Sequence, residues 1–461
     1  MGSASALAEP AGSLLFRALA RFLAGLFYRR VEVVGLERVP PSGPLIVAAN
    51  HQQGLMDGIL LAAALPRRLR PIAKAPLFRY PVIGQIARLA GAIPVRRRQD
   101  EHGDPADNQA MFGAARRALE QGDALLIFPE GISQPEPALM PLRTGAARLL
   151  LGAGSGWRGG PAAVLLPVGL MFHEPDTFRV GSAFVLIGEP VVAGDLEALP
   201  PGEGDSAVRR LTERLETALQ RLIVEARDRH TLELVHSAEE IWREEMPDAA
   251  RDPNDRAVWR QRAARAHRHL TSAEPVRTGA LRGRLERYVK DLELAGLTNG
   301  DLSRGYRPGG VMRYALREGL ALVLGLPLAF WGVLNHIAPY QATKAAVRVL
   351  RPEPDVLATY KVVAGLVLYP LCWLLEGWAA FRLGGGWLLA IFLLALLPTG
   401  FFALSWTERL ARVRREARGL LTVLLDRDLR AHLLERRRAI MAEFQELLLL
   451  VPEPVLAGAA R

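Results

Sequence analysis

One stretch of the sequence decides the fold, and it reads Leu45-Ile46-Val47-Ala48-Ala49-Asn50-His51-Gln52-Gln53-Gly54-Leu55-Met56-Asp57. Its first five residues are an apolar run with the length of a buried β-strand. A histidine and then an aspartate follow, and strand ends are where open α/β sheets place their sites. A neutral imidazole can accept a proton from a hydroxyl, while a carboxylate on its other nitrogen fixes the tautomer. The stretch therefore predicts an α/β fold and makes His51 and Asp57 candidates for an acid–base pair, while a capping or core arrangement is the commoner alternative for such a pair on its own.

Similar short runs surround this stretch and alternate with helical segments. They lie at residues 31–36, 91–95, 124–128, 163–169 and 184–187. This alternation predicts an α/β domain over residues 31–206, built as a mixed sheet flanked by helices. Residues 207–310 are charged and helical and carry no strand signal, so we expect a helical extension there. Residues 409–461 predict a basic amphipathic helical tail, which either lies on an anionic membrane or pairs with the extension.

The amino terminus and one later region predict contact with a membrane. Residues 1–30 place Arg17, Arg21 and Arg29 on one narrow stripe, which favours an interfacial amphipathic helix over an ordinary core helix. Residues 311–408 contain three apolar segments, at 319–337, 362–381 and 384–406. The last two are long enough to cross a bilayer and are separated by a glycine-rich turn, which predicts a tight helical hairpin.

Charge decides the orientation that we expect for this hairpin. Lys361 precedes it and Arg409 begins a basic run after it, so two spans keep both flanks in the cytoplasm. We therefore expect two spans plus an interfacial segment, with three spans as the alternative and buried core helices as the soluble interpretation. The large domain would then face the cytoplasm, on the inner membrane of a bacterium.

The amino-acid composition limits the classes of binding partner that we expect. Lys+Arg number 58 against 48 Asp+Glu, a formal net charge of +10. Such a surface attracts anions, and the apolar segments favour a lipid bilayer and phosphate-bearing small molecules over nucleic acid. The single cysteine excludes an intrachain disulfide and a cysteine metal cluster. The nine histidines lack metal-ligand spacing, so we expect no metal.

Three further motifs follow the first stretch. Residues 91–98 end a strand in Arg96, Arg97 and Arg98, which is typical of a phosphate-binding fork or of a solvated basic turn. Residues 125–133 bring a strand to a sharp Pro-Glu-Gly turn. The apolar pattern of residues 163–170 predicts a buried strand.

Together, in this order and spacing, the four motifs resemble the glycerolipid acyltransferase superfamily, which contains glycerol-3-phosphate and lysophosphatidic acid acyltransferases. The resemblance covers residues 31–191. Five residues separate His51 from Asp57 where the family usually has four, which is similar to the yeast-type glycerol-3-phosphate acyltransferase subgroup. That spacing requires a loop or a distorted turn, because a regular helix would point the two side chains apart. In the third motif, Ile132-Ser133 replaces the more usual Thr-Arg.

The resemblance implies a role for each matching residue. His51 is the base, oriented by Asp57, and the acyl donor is an acyl-CoA or acyl carrier protein, with no cofactor. The implied binding residues are Arg97, Lys74, Arg96 and Arg143 for the acceptor's phosphate, Glu130 and Gly131 for the rest of the acceptor, and Pro167 and Gly169 for the acyl-donor side.

Two other interpretations stay open at this point. Ser133 with His51 and Asp57 is a possible triad of a serine-type lipid ester hydrolase, although Ser133 lies outside a Gly-x-Ser-x-Gly pattern. A membrane lipid-binding scaffold with an acyltransferase-like domain is the non-enzymatic alternative. The sequence does not choose among glycerol-3-phosphate, lysophosphatidic acid and related acceptors, and the spacing favours glycerol-3-phosphate slightly.

Overall fold

The structure is a computed structural model. It describes residues 11–96, 105–154, 162–174, 177–194, 204–224, 229–248, 252–303 and 308–457.

A mixed sheet of seven strands forms the centre of the amino-terminal half. The strands follow the order β1-β7-β6-β2-β5-β3-β4. β2 pairs in parallel with β5 and β6, and β3 pairs in parallel with β5 and β4, whereas β6 and β7 are antiparallel. Their bounds are β1 Arg30–Val34, β2 Leu45–Ala49, β3 Leu69–Lys74, β4 Ile93–Val95, β5 Ala124–Ile127, β6 Val164–His173 and β7 Ser182–Ile187. The predicted mixed α/β fold is confirmed.

Strand β3 is the one that the pattern of apolar runs missed. Its sequence places Arg70, Pro71 and Lys74 among only three apolar residues. The strand forms because β5 lies on one side of it and β4 on the other. Pairing partners distant in sequence supplied the stability that the local pattern does not show.

Helices cover both faces of the sheet. α1 and α2 pack with Leu45 and Val47 on one face, and α4, α5 and α6 pack with Ile46 and Ala48 on the other. Their bounds are α1 Ala11–Phe27, α2 Leu55–Ala64, α3 Pro81–Leu89, α4 Pro105–Glu120, α5 Gly145–Gly154 and α6 Gly204–Leu222. The predicted boundary at residue 206 falls inside α6, which buries Leu211 against the sheet.

Helix α1 has two different faces. Phe16 and Leu23 are buried in the core beneath the sheet, as in an ordinary core helix. Leu14 and Leu15 are exposed to 54% and 60%, as an interfacial helix requires. One face of α1 thus packs on the domain while the other is exposed, and its contact with a membrane stays a prediction.

The helical extension and the carboxyl-terminal tail form one bundle. The extension contains α7 Arg229–Glu245, α8 Pro253–Ala273, α9 Pro275–Ala295 and α10 Asn299–Ser303, and the tail contains α13 Arg427–Leu449 and α14 Glu453–Ala457. Leu433 and Met441 of α13 share a core with Tyr288 of α9. Arg437 forms a buried ion pair with Glu245 at 2.7 Å. Of the two interpretations of the tail, pairing with the extension is the one observed.

Two long apolar helices connect these parts. They are α11 Pro308–Leu350 and α12 Leu357–Leu425, and both are long and apolar enough to cross a bilayer by length and composition. α12 folds back at Gly385 (φ 72°), since Gly377 lies against Leu389 and Phe392. This turn sits where the hairpin is predicted. The predicted boundary at residue 408 falls inside α12, so the first part of the basic tail continues the apolar helix.

Candidate active site

Four parallel strands end at the same edge of the sheet and bring the predicted site residues together. His51 follows β2, Glu130 follows β5, Lys74 ends β3 and Arg96 follows β4. These strands are neighbours in the order β2-β5-β3-β4. Side chains that are distant in the sequence therefore share one edge, as expected for an open α/β sheet.

His51 and Asp57 form the predicted pair. The Nδ1 atom of His51 lies 2.8 Å from Oδ2 of Asp57. The same oxygen accepts hydrogen bonds from the backbone N–H groups of Gln52 and Gln53, both at 2.8 Å. Asp57 is fully buried. With Nδ1–H donated to the carboxylate, Nε2 carries the lone pair and can accept a proton.

A loop between His51 and Asp57 allows their side chains to meet although five residues separate them. His51 precedes helix α2, whereas Asp57 lies in the first turn of that helix. Between them the backbone turns at Gly54 (φ 54°). The loop wraps its N–H groups around the carboxylate, so the five-residue spacing brings the two side chains into contact.

One ring contact and two backbone hydrogen bonds fix the position of His51. Its ring stacks on Phe128, with centroids 4.0 Å apart and an interplanar angle of 12°. The backbone N–H of His51 donates to Oε1 of Glu130 at 2.8 Å, and its carbonyl accepts from the N–H of Gln134 at 3.0 Å. The ring position is therefore fixed by the strand end and by the loop after β5.

Asn50 anchors the preceding strand to β6. Its amide donates to the carbonyl of Leu170 at 2.9 Å and accepts from the N–H of Leu170 at 2.6 Å. Asn50 is 2% exposed, so water cannot replace these bonds. The sequence motif around Asn50 does not show this contact, because Leu170 lies 120 residues away.

We predict that Asn50→Leu destabilises the protein by about 2–4 kcal/mol, because it leaves two buried backbone groups of Leu170 unpaired. Chemical unfolding followed by tryptophan fluorescence measures this change. Asn50→Asp, which keeps one acceptor, should unfold at an intermediate denaturant concentration. A Leu variant as stable as the wild type would contradict the bracing role.

Glu130 joins two loops. It is 4% exposed, and its oxygens accept from the N–H groups of His51 and, at 3.0 Å, of Met140. Burial raises the pKa of Glu130 above its ordinary value, and the two N–H donors oppose this rise. Both oxygens are thus engaged by backbone. The implied role in acceptor binding stays a prediction.

Gly131 makes room for Arg143. Its φ is 75°, a backbone conformation that favours glycine. A Cβ atom at this position would lie 2.6 Å from Nε of Arg143, so the guanidinium group lies directly beside the Pro-Glu-Gly turn. The N–H of Arg143 donates to the carbonyl of Pro129 at 2.8 Å. This brings Arg143 to the loop that holds His51.

The other basic residues lie further along the same edge. Lys74 is half-buried and Arg96 is exposed. Lys74 pairs in register with Val95, the residue before Arg96, so the two cations end neighbouring strands. Arg97 lies outside the described residues, and its predicted contact with phosphate stays a prediction.

Pro167 and Gly169 lie on β6, on the face covered by α6. A Cβ atom at Gly169 would lie 2.8 Å from Cβ of Leu222, at the end of α6. The carbonyl of Pro167 accepts from the N–H of Gly188 at 2.9 Å. The structure shows both residues in packing contacts, and their role on the acyl-donor side stays a prediction.

A cavity of about 280 Å³, which no sequence motif predicts, adjoins the loop that follows His51. Gln52 and Gln53 form one wall, and helices α7 and α8 contribute His236 and Arg260. His236 stacks on His173 with centroids 3.8 Å apart. Burial, with the neighbouring His173 and Arg260, lowers the pKa of His236 to about 2, so its ring is neutral at physiological pH.

Ser133 does not complete a hydrolase triad. Its hydroxyl donates to Oδ2 of Asp355, which lies between the two apolar helices. A nucleophilic serine would instead be hydrogen-bonded to the imidazole that activates it. The triad interpretation is therefore wrong in its geometry. Among the described residues, no group of three His, Cys, Asp or Glu could hold a metal ion.

Comparison with known proteins finds similarity over the part of the chain that carries this site. The family model Acyltransferase matches residues 30–171. The 1-acyl-sn-glycerol-3-phosphate acyltransferase alpha of Homo sapiens is 35% identical over 128 residues, which are 28% of this chain and 44% of the relative. The mouse protein of the same name is 34% identical over 134 residues, 29% of this chain and 44% of the relative. The chain thus matches less than half the length of these relatives.

Two further similarities cover more of the chain. An uncharacterized acyltransferase of Schizosaccharomyces pombe is 24% identical over 307 residues, covering 48% of this chain and 45% of the relative. The crystal structure of the 1-acyl-sn-glycerophosphate (LPA) acyltransferase PlsC from Thermotoga maritima is similar with 20% identity and a TM-score of 0.34, over 46% of this chain and 79% of that one.

The fold, the His51–Asp57 pair and the family match define an acyltransferase domain at residues 30–171. This domain is similar to that of the 1-acyl-sn-glycerol-3-phosphate acyltransferases named above.

Proposed function

We propose that this protein is a membrane-bound O-acyltransferase of glycerophospholipid biosynthesis. It transfers a fatty acyl group from acyl-CoA or acyl carrier protein to a hydroxyl of glycerol-3-phosphate or lysophosphatidic acid. The observation that carries this proposal is the imidazole of His51, bonded to buried Asp57 and stacked on Phe128 at the strand end of an acyltransferase domain. The relatives named for 1-acyl-sn-glycerol-3-phosphate support the acceptor class.

The chemistry requires one base and no covalent enzyme intermediate. Nε2 of His51 takes the proton of the acceptor hydroxyl, and the oxygen attacks the thioester carbonyl. As the tetrahedral intermediate collapses, the new C–O ester bond remains, the C–S bond breaks, and the proton held by His51 passes to the departing thiolate. Asp57 stabilises the imidazolium between these steps. The protein mainly positions the two substrates.

The basic residues supply the acceptor's phosphate site. Neighbouring strands lie about 4.8 Å apart, so β3, two strands from β2, runs about 10 Å from it. The side chain of Lys74 is long enough to cover much of this distance, and the guanidinium group of Arg143 lies beside Gly131 in the loop after β5. In our proposal a short phosphorylated alcohol binds between these cations and His51, and Arg96 and Arg97, which follow β4 in the sequence, add to its phosphate site.

The apolar helices suit this reaction because the acyl chain and the product partition into lipid, while the phosphate and the thioester carrier stay in water. In our proposal α11 and α12 anchor the protein, and the domain faces the cytoplasm at a bacterial inner membrane. Leu14 and Leu15 on the exposed face of α1 support a domain held close to the lipid surface.

The test is thiol release from palmitoyl-CoA by membranes that contain the protein, with each candidate acceptor supplied in turn. Release that depends on one acceptor supports the proposal and identifies that acceptor. Release without acceptor would instead indicate hydrolysis. If neither occurs, palmitoyl-acyl carrier protein replaces the CoA donor, and continued inactivity would favour the lipid-binding scaffold.

We predict that the double variant Lys74→Met, Arg143→Met raises KM for the phosphorylated acceptor at least tenfold, since each lost charged contact weakens binding by about 1.5–3 kcal/mol. KM for the donor should change little. Arg148→Met is the matched control, because this arginine is half exposed on α5 and pairs with Asp205. An unchanged acceptor KM in the double variant would remove these residues from the phosphate site.

A further inference from the structure

The segment that joins the two apolar helices lies against the loop that carries His51. Asp355 and Thr359 are 8% and 5% exposed, although they flank long helices with exposed apolar faces. Ala358 is fully buried and, with Val362, belongs to the core that also contains Met56 of α2. The beginning of α12 is therefore part of the acyltransferase domain's own packing.

Helix α2 needs an external partner for its first turn. Gly54 occupies its N-cap and has no side chain to accept a hydrogen bond. The N–H of Leu55 instead donates to Oγ1 of Thr359 at 3.1 Å, from a residue 304 positions away. The same hydroxyl lies 3.5 Å from the carbonyl of Gln53. Thr359 thus caps the helix turn from which Asp57 reaches His51.

The same segment also holds the loop on the other side of His51. Asp355 accepts the hydroxyl hydrogen of Ser133, the residue at which this sequence departs from the family's usual Thr-Arg. The next residue, Gln134, donates its N–H to the carbonyl of His51. Contacts from one short segment therefore reach both loops that fix the imidazole.

The fit between the segment and the loop is close. A Cβ atom at Gly54 would lie 3.2 Å from both Oγ1 of Thr359 and Cγ1 of Val356. The positive φ of Gly54 turns the chain toward the segment without a side chain in the way. A movement of the start of α12 would consequently shift the contacts of Gly54 and Leu55.

We propose that Thr359 and Asp355 are positioning residues, through which the start of apolar helix α12 holds the His51–Asp57 loop in its active geometry. The proposal rests on the proposed acyltransferase function for its effect on rate, but not for its effect on the loop. It makes the apolar helix pair a component of the active site as well as an anchor.

The test compares two changes at one position in the full-length protein in detergent micelles or nanodiscs. Thr359→Val keeps the shape and removes the acceptor, whereas Thr359→Ser keeps the hydroxyl. We expect Thr359→Val to lower kcat about tenfold, with donor and acceptor KM within about twofold of wild type. Thr359→Ser should restore kcat to within about twofold. Hydrogen–deuterium exchange of the peptide covering residues 50–60 should quicken about tenfold in the Val variant only.

Thr399→Val is the matched control, because Thr399 is equally buried in α12 but bonds within its own helix. It should leave both kcat and the exchange of residues 50–60 unchanged. The proposal would be overturned if residues 50–60 of Thr359→Val exchanged at the wild-type rate. It would also be overturned if Thr399→Val changed kcat and exchange as much as Thr359→Val does. If the wild-type protein transfers no acyl group to any acceptor, the proposed function fails, and the exchange experiment still decides whether Thr359 holds the loop.

Discussion

Replacement of His51 by alanine is expected to lower the rate of acyl transfer about 100- to 10,000-fold, the usual contribution of a general base. The fold should survive the change. The bonds from His51 to Glu130 and Gln134 use backbone atoms, which alanine retains, and the ring stacks on Phe128 at the domain's edge. Acceptor-dependent thiol release and the thermal unfolding midpoint are the two measurements.

His173→Ala provides the control for this experiment. His173 also stacks on a neighbouring ring, that of His236, but belongs to the adjoining cavity. Its replacement should leave most of the activity. Wild-type transfer by the His51 variant would refute the base assignment. Loss of activity together with an unfolded protein would assign His51 a structural role instead.

Asp57→Asn is expected to reduce transfer about 100- to 10,000-fold with little loss of stability. The asparagine side-chain oxygen can still accept from the N–H groups of Gln52 and Gln53. It carries no charge, however, so the imidazolium formed during the reaction loses its stabilising partner, and the tautomer of His51 is no longer fixed. Steady-state kinetics at saturating substrates measures the decrease in kcat.

A second substitution at this position separates charge from structure. Asp57→Leu leaves the N–H groups of Gln52 and Gln53 without an acceptor in a fully buried place. It should therefore destabilise the protein by about 2–6 kcal/mol, since each unpaired buried group costs about 1–3 kcal/mol. If Asn and Leu variants were equally stable and equally inactive, the backbone bonds to Asp57 would contribute nothing measurable.

Some features were determined by the sequence alone because they depend on neighbouring residues. The apolar run before Asn50 gives β2, the glycines near residue 385 give the turn in α12, and the order of the four motifs gives the acyltransferase domain. In each case periodicity, composition or spacing within a short window carries the information.

Other features required the tertiary structure because their partners lie far apart in the chain. β3 forms through pairing with β4 and β5, and the cavity beside Gln53 needs α7 and α8. The distance between His51 and Asp57 depends on a loop with N–H groups that surround a carboxylate. The sequence leaves Ser133 open as a nucleophile, whereas in the structure its hydroxyl donates to Asp355.

The cap on α2 shows the difference most directly. The sequence places Gly54 before the helix and Thr359 at the start of an apolar helix, and neither position alone indicates a contact. A hydrogen bond acts over about 3 Å, and only packing of the whole chain brings two atoms 304 residues apart to that distance. The sequence determined which chemical groups are present, and the tertiary structure decided which of them meet.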